Sequence, residues 1–300
     1  MNYFWDLFLG GITRGSIYAL IALGYTMVYG ILELINFAHG EIYMIGAFTA
    51  LIAASVLTLH GFSGLSVLIL AAVVAVLYSA AYGFTVEKIA YKPLRQAPRL
   101  SPLISAIGMS IFLQNYVMIA QTSDFLPFPN LFPSSDFLQS ISHVIGMSDL
   151  IIIATTAVMM IALTLILKFT KMGKAMRATA QDRVMAMLLG VNVNSIISRT
   201  FIIGSALAAV GGILIASHIG RINFYIGFGA GIKAFTAAVL GGIGNIPGAM
   251  LGGLILGMTE SFAAGYVSSD YENVFAFALL ILILIFKPAG LLGRSSPSKV

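Results

Sequence analysis

Long apolar stretches recur along nearly the whole 300-residue chain, and this pattern limits the possible folds more than any other feature. Backbone N–H and C=O groups in lipid must be bonded internally, so uninterrupted apolar stretches of about 20 residues fold as membrane-spanning helices. The sequence therefore predicts an all-α polytopic membrane protein with about 8–9 transmembrane helices. The candidate spans are about 7–31, 40–60, 65–86, 103–121, 149–168, 200–219, 228–246, 248–266 and 273–287.

Composition agrees with a membrane protein built as one unit. Hydrophobic residues make up 59% of the chain and charged residues only 9%, against about 25% charged residues in soluble domains. The polar stretches reach roughly 30 residues, which is too short for an independent hydrophobic core. We therefore expect a single transmembrane domain over residues 1–300. The chain has no cysteine, which excludes disulfides and Cys-ligated metal sites.

Three candidate spans are weaker than the others. The 103–121 stretch is short and carries Gln114 and Asn115, while 228–246 and 248–266 are rich in glycine and are separated by Pro247. Glycine and proline interrupt transmembrane helices at functional positions. The sequence leaves open whether one of these segments is broken or re-entrant.

Basic residues are concentrated in three regions, which predicts the orientation of the chain. By the positive-inside rule these regions face the cytoplasm. The connections 122–148 and 267–272 contain acidic residues and no Lys or Arg, so we expect them on the outer side, together with the N-terminus. The C-terminus is expected in the cytoplasm. The basic residues in question are Lys88, Lys92, Arg95, Arg99, Lys168, Lys171, Lys174, Arg177, Arg183, Arg199, Lys287, Arg294 and Lys299.

A first polar motif, Asn36, His39 and Glu41, marks the start of the second apolar stretch. Ionisable groups at membrane depth are costly and usually face protein or water, which favours a gate, a lining of the translocation path or a partner contact. The alternative is a helix start, with Asn36 as the cap and Glu41 near the positive helix N-terminus. The sequence does not decide between these interpretations, and no histidine spacing indicates a metal site.

A second motif is a glycine-rich run that ends in Asn-Ile-Pro-Gly. It indicates a break inside a hydrophobic region, and such breaks line transport sites. The alternative is close helix packing through the GxxxG pairs Gly248/Gly252 and Gly253/Gly257. The candidate residues for a path or gate in this run are Gly241, Gly242, Gly244, Asn245 and Pro247.

A third motif lies within the basic 169–199 connection, at residues 173–190. Ala175, Ala178, Met185 and Leu189 form an approximate helical stripe, with charged residues on the other faces. An amphipathic helix of this kind either docks into a groove of a cytoplasmic partner or lies on the anionic membrane surface.

Several functions are disfavoured by missing motifs. The chain has no GxxxxGK[ST] motif, so we expect it neither to bind nor to hydrolyse ATP. No cofactor site is indicated. Nucleic-acid binding has no support either, because the membrane topology accounts for the basic residues. An intramembrane enzyme would need a nucleophile or metal constellation, which we do not find. A self-contained secondary transporter would need an ion relay, for which only Glu260 and Lys233 are suitable.

Four runs of the sequence resemble one transport family over nearly the full length. The chain is similar to the LivH-type permeases of high-affinity branched-chain amino-acid ABC transporters. Related permeases for urea or short amides carry similar motifs and remain an alternative. The matching runs are Ser16–Ile31, Ile35–Ala47, Leu103–Tyr116 and Tyr225–Gly257.

The resemblance implies a permease in the bacterial inner membrane, surrounded by lipid and working with partners. These are a second, homologous permease of the LivM type, two ATP-binding subunits and a periplasmic amino-acid-binding protein. ATP hydrolysis on the partners would drive uptake of leucine, isoleucine or valine. Residues 173–190 would couple to an ATPase, although no Glu-Ala-Ala precedes Gly190 as the usual coupling pattern requires. The candidate coupling residues are Lys174, Arg177, Asp182, Arg183 and Gly190.

Overall fold

The computed structural model describes residues 2–98, 100–129, 132 and 146–293. Arg99, Asp136, Arg294, Lys299 and most of the 122–148 connection lie outside these residues. Over the described residues the chain forms eleven α-helices. They are α1 (Asn2–Leu32), α2 (His39–Leu59), α3 (Leu65–Val86), α4 (Leu100–Ala120), α5 (Met147–Phe169), α6 (Lys171–Gln181), α7 (Arg183–Leu188), α8 (Val193–Ile219), α9 (Ile226–Gly241), α10 (Ile246–Tyr266) and α11 (Glu272–Phe286).

Shorter elements join some of these helices. A π-helical turn at Glu87–Tyr91 and a 3₁₀ turn at Lys92–Leu94 follow α3, and a second 3₁₀ turn at Ser269–Tyr271 precedes α11. Two two-residue strands, β1 (Leu126–Pro127) and β2 (Arg221–Ile222), pair antiparallel. The all-α prediction is confirmed.

Eight helical segments in the described part of the chain are long and apolar enough to cross a membrane. The weak 103–121 stretch is one of them, because it forms the uninterrupted helix α4. The break lies instead between α9 and α10, at residues 242–245. Helix α9 has only 16 residues, or about 24 Å at 1.5 Å per residue, less than the thickness of the hydrocarbon layer.

Helix α1 lies at the centre of the bundle. Within its most apolar window 89% of the residues are buried, against 17% for α5 and 22% for α3 and α4. Its closest neighbour is α10, where Gly257 meets Gly15 and Gly253 meets Ala19 at backbone distance. Lipid provides no hydrophobic driving force between helices, so small residues that let backbones approach closely stabilise such contacts.

The bundle has two chemically different ends. At the basic end, Arg183 binds the carbonyl oxygen of Ile31 at the end of α1, and Arg95 donates to Asn194 at the start of α8. At the opposite end, β1 pairs with β2, and the Tyr3 hydroxyl donates to the carbonyl of Gly265. The charge pattern predicts which connections share a side of the membrane. Within the described residues, connections predicted on the same side lie at the same end of the bundle.

Candidate functional site

Asn36 lies just before α2 and is 2% exposed. Its side-chain oxygen accepts a hydrogen bond of 2.8 Å from the Tyr91 hydroxyl, in the π-helical turn after α3. The N-cap of α2 is Ala38, with no side-chain capping bond. The alternative in which Asn36 caps this helix is therefore wrong, because Ala38 holds the cap position and the Asn36 side chain binds Tyr91 instead.

His39 is buried between α1 and α8. Its ring meets the Tyr25 ring edge-on, with 4.8 Å between centroids, and Gly24 and Gly204 leave the space that the imidazole fills. Nε2 has no hydrogen-bond partner among the described protein atoms. His39 is thus held by packing on both sides, with one polar atom unused.

Glu41 is fully buried in the first turn of α2. The Ser110 hydroxyl of α4 donates to one carboxylate oxygen at 3.1 Å, while the other lies beside Gly227 of α9 without a partner in the described chain. The positive end of the α2 dipole favours a carboxylate here. Asn36, His39 and Glu41 thus contact different neighbours around the start of α2. Whether they also line a translocation path or gate stays a prediction.

The glycine-rich run forms a tight turn between two helices. Gly242 and Gly244 have φ values of 106° and 90°, a conformation that glycine adopts without strain. Asn245 caps α10 by accepting from the Gly248 amide at 3.1 Å, and its side-chain nitrogen donates to the Leu292 carbonyl at 2.6 Å. Pro247 lies in the first turn of α10. The break is therefore a turn at the basic end, closed by residues 291–292.

The two GxxxG pairs face different neighbours of α10. Gly248 and Gly252 meet the backbone of α9, whereas Gly253 and Gly257 meet the backbone of α1. The close-packing interpretation is confirmed for both pairs. Whether the turn also borders a translocation path stays a prediction.

The basic connection contains two short helices, α6 and α7, instead of one. Asp182 ends the first and caps the second, accepting from the amides of Val184 and Met185 at 2.8 and 2.9 Å. Arg183 donates twice to the Ile31 carbonyl, and Arg177 binds the Leu167 carbonyl. These three charged side chains therefore hold the connection in shape. Lys174 is exposed, and Gly190 has a φ of 84° after α7.

The predicted apolar stripe is partly wrong. Ala175 and Ala178 pack against the core, but Met185 and Leu189 are 53% and 75% exposed, because the new helix start at Asp182 shifts the register. An exposed apolar surface results, which we name the α7 surface. The α7 surface consists of Val184, Met185, Met187, Leu188 and Leu189. In the sequence, the only sign of this surface is the run of apolar residues directly after Asp182.

A network of charged side chains at the opposite end was missed by sequence reasoning. Lys233 lies 2.6 Å from Glu272 and 3.2 Å from Glu260, and Arg14 lies 3.1 Å from Glu272. The Tyr18 hydroxyl donates to Glu260 at 2.8 Å. The sequence marks Lys233 and Glu260 as isolated charges in apolar stretches, but it places Glu272 in the outer 267–272 connection. Glu272 points inward instead.

A family model described as "Branched-chain amino acid transport system / permease component" matches residues 7–284. The chain belongs to this permease family. It is 52% identical to the high-affinity branched-chain amino acid transport system permease protein BraD of Pseudomonas aeruginosa, covering 97% of this chain and 96% of that protein. It is 49% identical to LivH of Escherichia coli, covering 99% and 98%. A probable LivH of Methanocaldococcus jannaschii is 26% identical over 95% and 91%.

These findings confirm the resemblance drawn from the four sequence runs. The permease is a polytopic membrane protein whose relatives are transport subunits rather than enzymes.

Proposed function

We propose that this chain is a membrane-spanning subunit of an ABC importer that moves leucine, isoleucine and valine across the bacterial inner membrane. The observation that carries this proposal is about 50% identity over almost the full length to BraD and LivH, which are named as high-affinity branched-chain amino acid permease proteins. Partner subunits supply the ATP hydrolysis. They comprise a second homologous permease, two ATP-binding subunits and a periplasmic binding protein.

The basic end faces the cytoplasm in this proposal, because Lys and Arg are retained on that side during insertion. The α7 surface then docks into an apolar groove of an ATPase subunit. Large exposed apolar patches mark interaction sites. Arg177, Asp182 and Arg183 tie the segment to α5, α7 and α1, so a movement of the docked partner passes directly to the spanning helices.

The opposite end faces the periplasm and the binding protein. Asp124 and Asp270 are its exposed acidic residues in the described connections. Glu272 does not belong to this outer surface, because its carboxylate binds Lys233 and Arg14.

Reconstitution in liposomes tests the proposed function. The permease pair, the ATPase subunits and the binding protein are combined, and uptake of radiolabelled leucine is measured with and without ATP. We expect uptake only with ATP and all partners. Uptake by this chain alone would identify a self-contained secondary transporter, and ATP-driven uptake of urea in place of leucine would identify a urea permease. Either result contradicts the proposal.

The docking assignment is tested by Leu188→Asp, which places a charge on the α7 surface. We expect at least a tenfold loss of ATPase subunits co-purified in mild detergent. Phe62→Asp is the matched control, since Phe62 is an exposed apolar residue in the connection at the opposite end.

Arg177→Ala and Arg183→Ala should lower uptake while membrane insertion is kept. Unchanged uptake in both variants would remove these residues from coupling.

A further inference from the structure

We propose that a cavity at the opposite end of the permease binds the zwitterionic headgroup of the amino acid in transit. This inference rests on the proposed function, because it names the site where that substrate is held. The cavity, here the outer cavity, encloses about 550 Å³, within the range of about 300–1,000 Å³ typical of small-molecule sites. Its lining includes Arg14, Tyr18, Tyr43, Lys233 and Glu272.

Three charged side chains line the outer cavity, Arg14, Lys233 and Glu272. A fourth, Glu260, lies buried 3.2 Å from Lys233, and the formal charges of the four sum to zero. Side-chain exposure falls from 40% for Arg14 to 23% for Glu272, 16% for Lys233 and 0% for Glu260. Charged side chains within membrane segments are costly, and they commonly mark a substrate or ion pathway. A neutral set of two cations and two carboxylates accepts a zwitterion without creating net charge.

The network has unused hydrogen-bonding capacity. Arg14 donates through one nitrogen to Glu272, although a guanidinium carries five N–H donors. An α-carboxylate can therefore pair with Arg14 in the bidentate geometry that a guanidinium favours.

The ion pair between Arg14 and Glu272 also suggests how a ligand enters the network. Its N···O distance is 3.1 Å, and both side chains are partly exposed to the cavity. An amino acid replaces this pair charge for charge, with its carboxylate on Arg14 and its ammonium on Glu272. No buried charge is left unpaired in either state, which avoids the large penalty for an isolated charge.

The apolar part of the lining suits a branched aliphatic side chain, and His218 and Asn273 also border the cavity. Ile215, Ile219 and Ile226 lie around the same space as the charged groups. Apolar walls with a few convergent polar groups are typical of small-ligand sites. The outer cavity thus combines a headgroup site with a hydrophobic wall, the two features that branched-chain amino acids require.

A space-filling variant tests the cavity without touching its charges. Gly229 lines the cavity, and a Cβ added there meets no atom within 4 Å. Gly229→Leu should lower leucine uptake by the complete reconstituted transporter at least tenfold. ATP hydrolysis stimulated by the binding protein should persist, because the α7 surface is unchanged. Gly108→Leu is the matched control, since Gly108 of α4 also has open space around its Cβ position. Equal uptake by both variants would overturn the proposal.

A direct binding measurement distinguishes a substrate site from a set of ion pairs that only stabilises the fold. Radiolabelled leucine is added to the transporter in nanodiscs without the binding protein, and binding is followed by scintillation proximity. Lys233→Arg and Glu272→Asp keep every charge but move the groups that would hold the ligand. We expect at least tenfold weaker leucine binding in both variants. Asp6→Glu, at an exposed position of α1, should bind like the wild type.

Analogues test the need for both charges. 4-Methylpentanoate lacks the ammonium and isoamylamine lacks the carboxylate, so neither should displace leucine, while isoleucine should. If Lys233→Arg and Glu272→Asp bind leucine as strongly as the wild type, the ion pairs only stabilise the fold and the inference is overturned. If the wild-type transporter binds leucine but does not transport it, the proposed function fails and the site stands. If it transports leucine without this binding, only the site fails.

Discussion

Glu87 lies fully buried just after α3, where its carboxylate is held by two other parts of the chain. The Ser198 hydroxyl of α8 donates to one oxygen at 2.7 Å, and Arg95 forms an ion pair with the other. Arg95 in turn donates to Asn194. This small network joins the connection after α3 to the start of α8, and a buried carboxylate there depends on its cation.

Arg95→Met tests that dependence at the level of a single residue. Removing one partner of a buried ion pair costs about 3–5 kcal/mol, because the remaining charge is left uncompensated. We expect the apparent melting temperature of the purified protein in detergent to fall by at least about 5 °C. Lys88→Met removes a neighbouring but exposed cation and should change it little. Equal melting temperatures for the two variants would contradict the expectation.

The polar residues of the buried sites could be predicted from the sequence, but their partners could not. Asn36, His39 and Glu41 stand out because polar groups are rare in apolar stretches. Tyr91 and Ser110, which bind two of them, look like ordinary helical residues in the sequence. Partner choice depends on how the helices pack, and no local pattern encodes that.

The interface between α1 and α10 depends on glycine. A Cβ at Gly257 would lie 2.2 Å from the backbone nitrogen of Gly15, and one at Gly253 would lie 2.4 Å from that of Ala19. Backbones at this separation leave no room for a side chain at these two positions of α10. Because α1 is the most buried helix, the packing of the whole bundle depends on this contact.

Gly257→Val should force α1 and α10 apart. Overpacking of a well-packed interface costs about 1–3 kcal/mol or more, so we expect the apparent melting temperature in detergent to fall by at least about 2 °C. Gly108→Val is the control, because it makes the same change on α4 where the Cβ position is open. A Gly257→Val protein as stable as this control would show that the interface tolerates a side chain.

Element positions were largely predictable, whereas the division of the basic connection was not. The apolar stretches located the long helices because period and length are local properties. Residues 173–190 read as one amphipathic stripe, but Thr170 and Asp182 each cap a separate helix. Aspartate is favoured at helix N-caps, so Asp182 was the residue that could have indicated the start of a second helix. The inward position of Glu272 had no such sign, since it depends on the packing of α9 and α11.

At the scale of the whole molecule, the uneven charge of the two ends connects the fold with its proposed direction of transport. The α7 surface and the Arg95 network lie at the basic end, while the outer cavity lies at the other. A substrate site and an energy-coupling site at opposite ends fit an importer whose ligand arrives on one side and whose ATPase works on the other. The proposal therefore requires one particular orientation in the membrane.

Cysteine labelling measures that orientation. The chain has no cysteine, so a single introduced thiol is the only reactive one. Phe62→Cys, at the opposite end, should react with a membrane-impermeant maleimide in intact spheroplasts. Lys171→Cys, at the start of α6, should react only after the membrane is permeabilised, because its basic connection is retained in the cytoplasm. The reverse pattern would place the α7 surface outside, where no ATPase subunit could reach it, and the coupling proposal would fail with it.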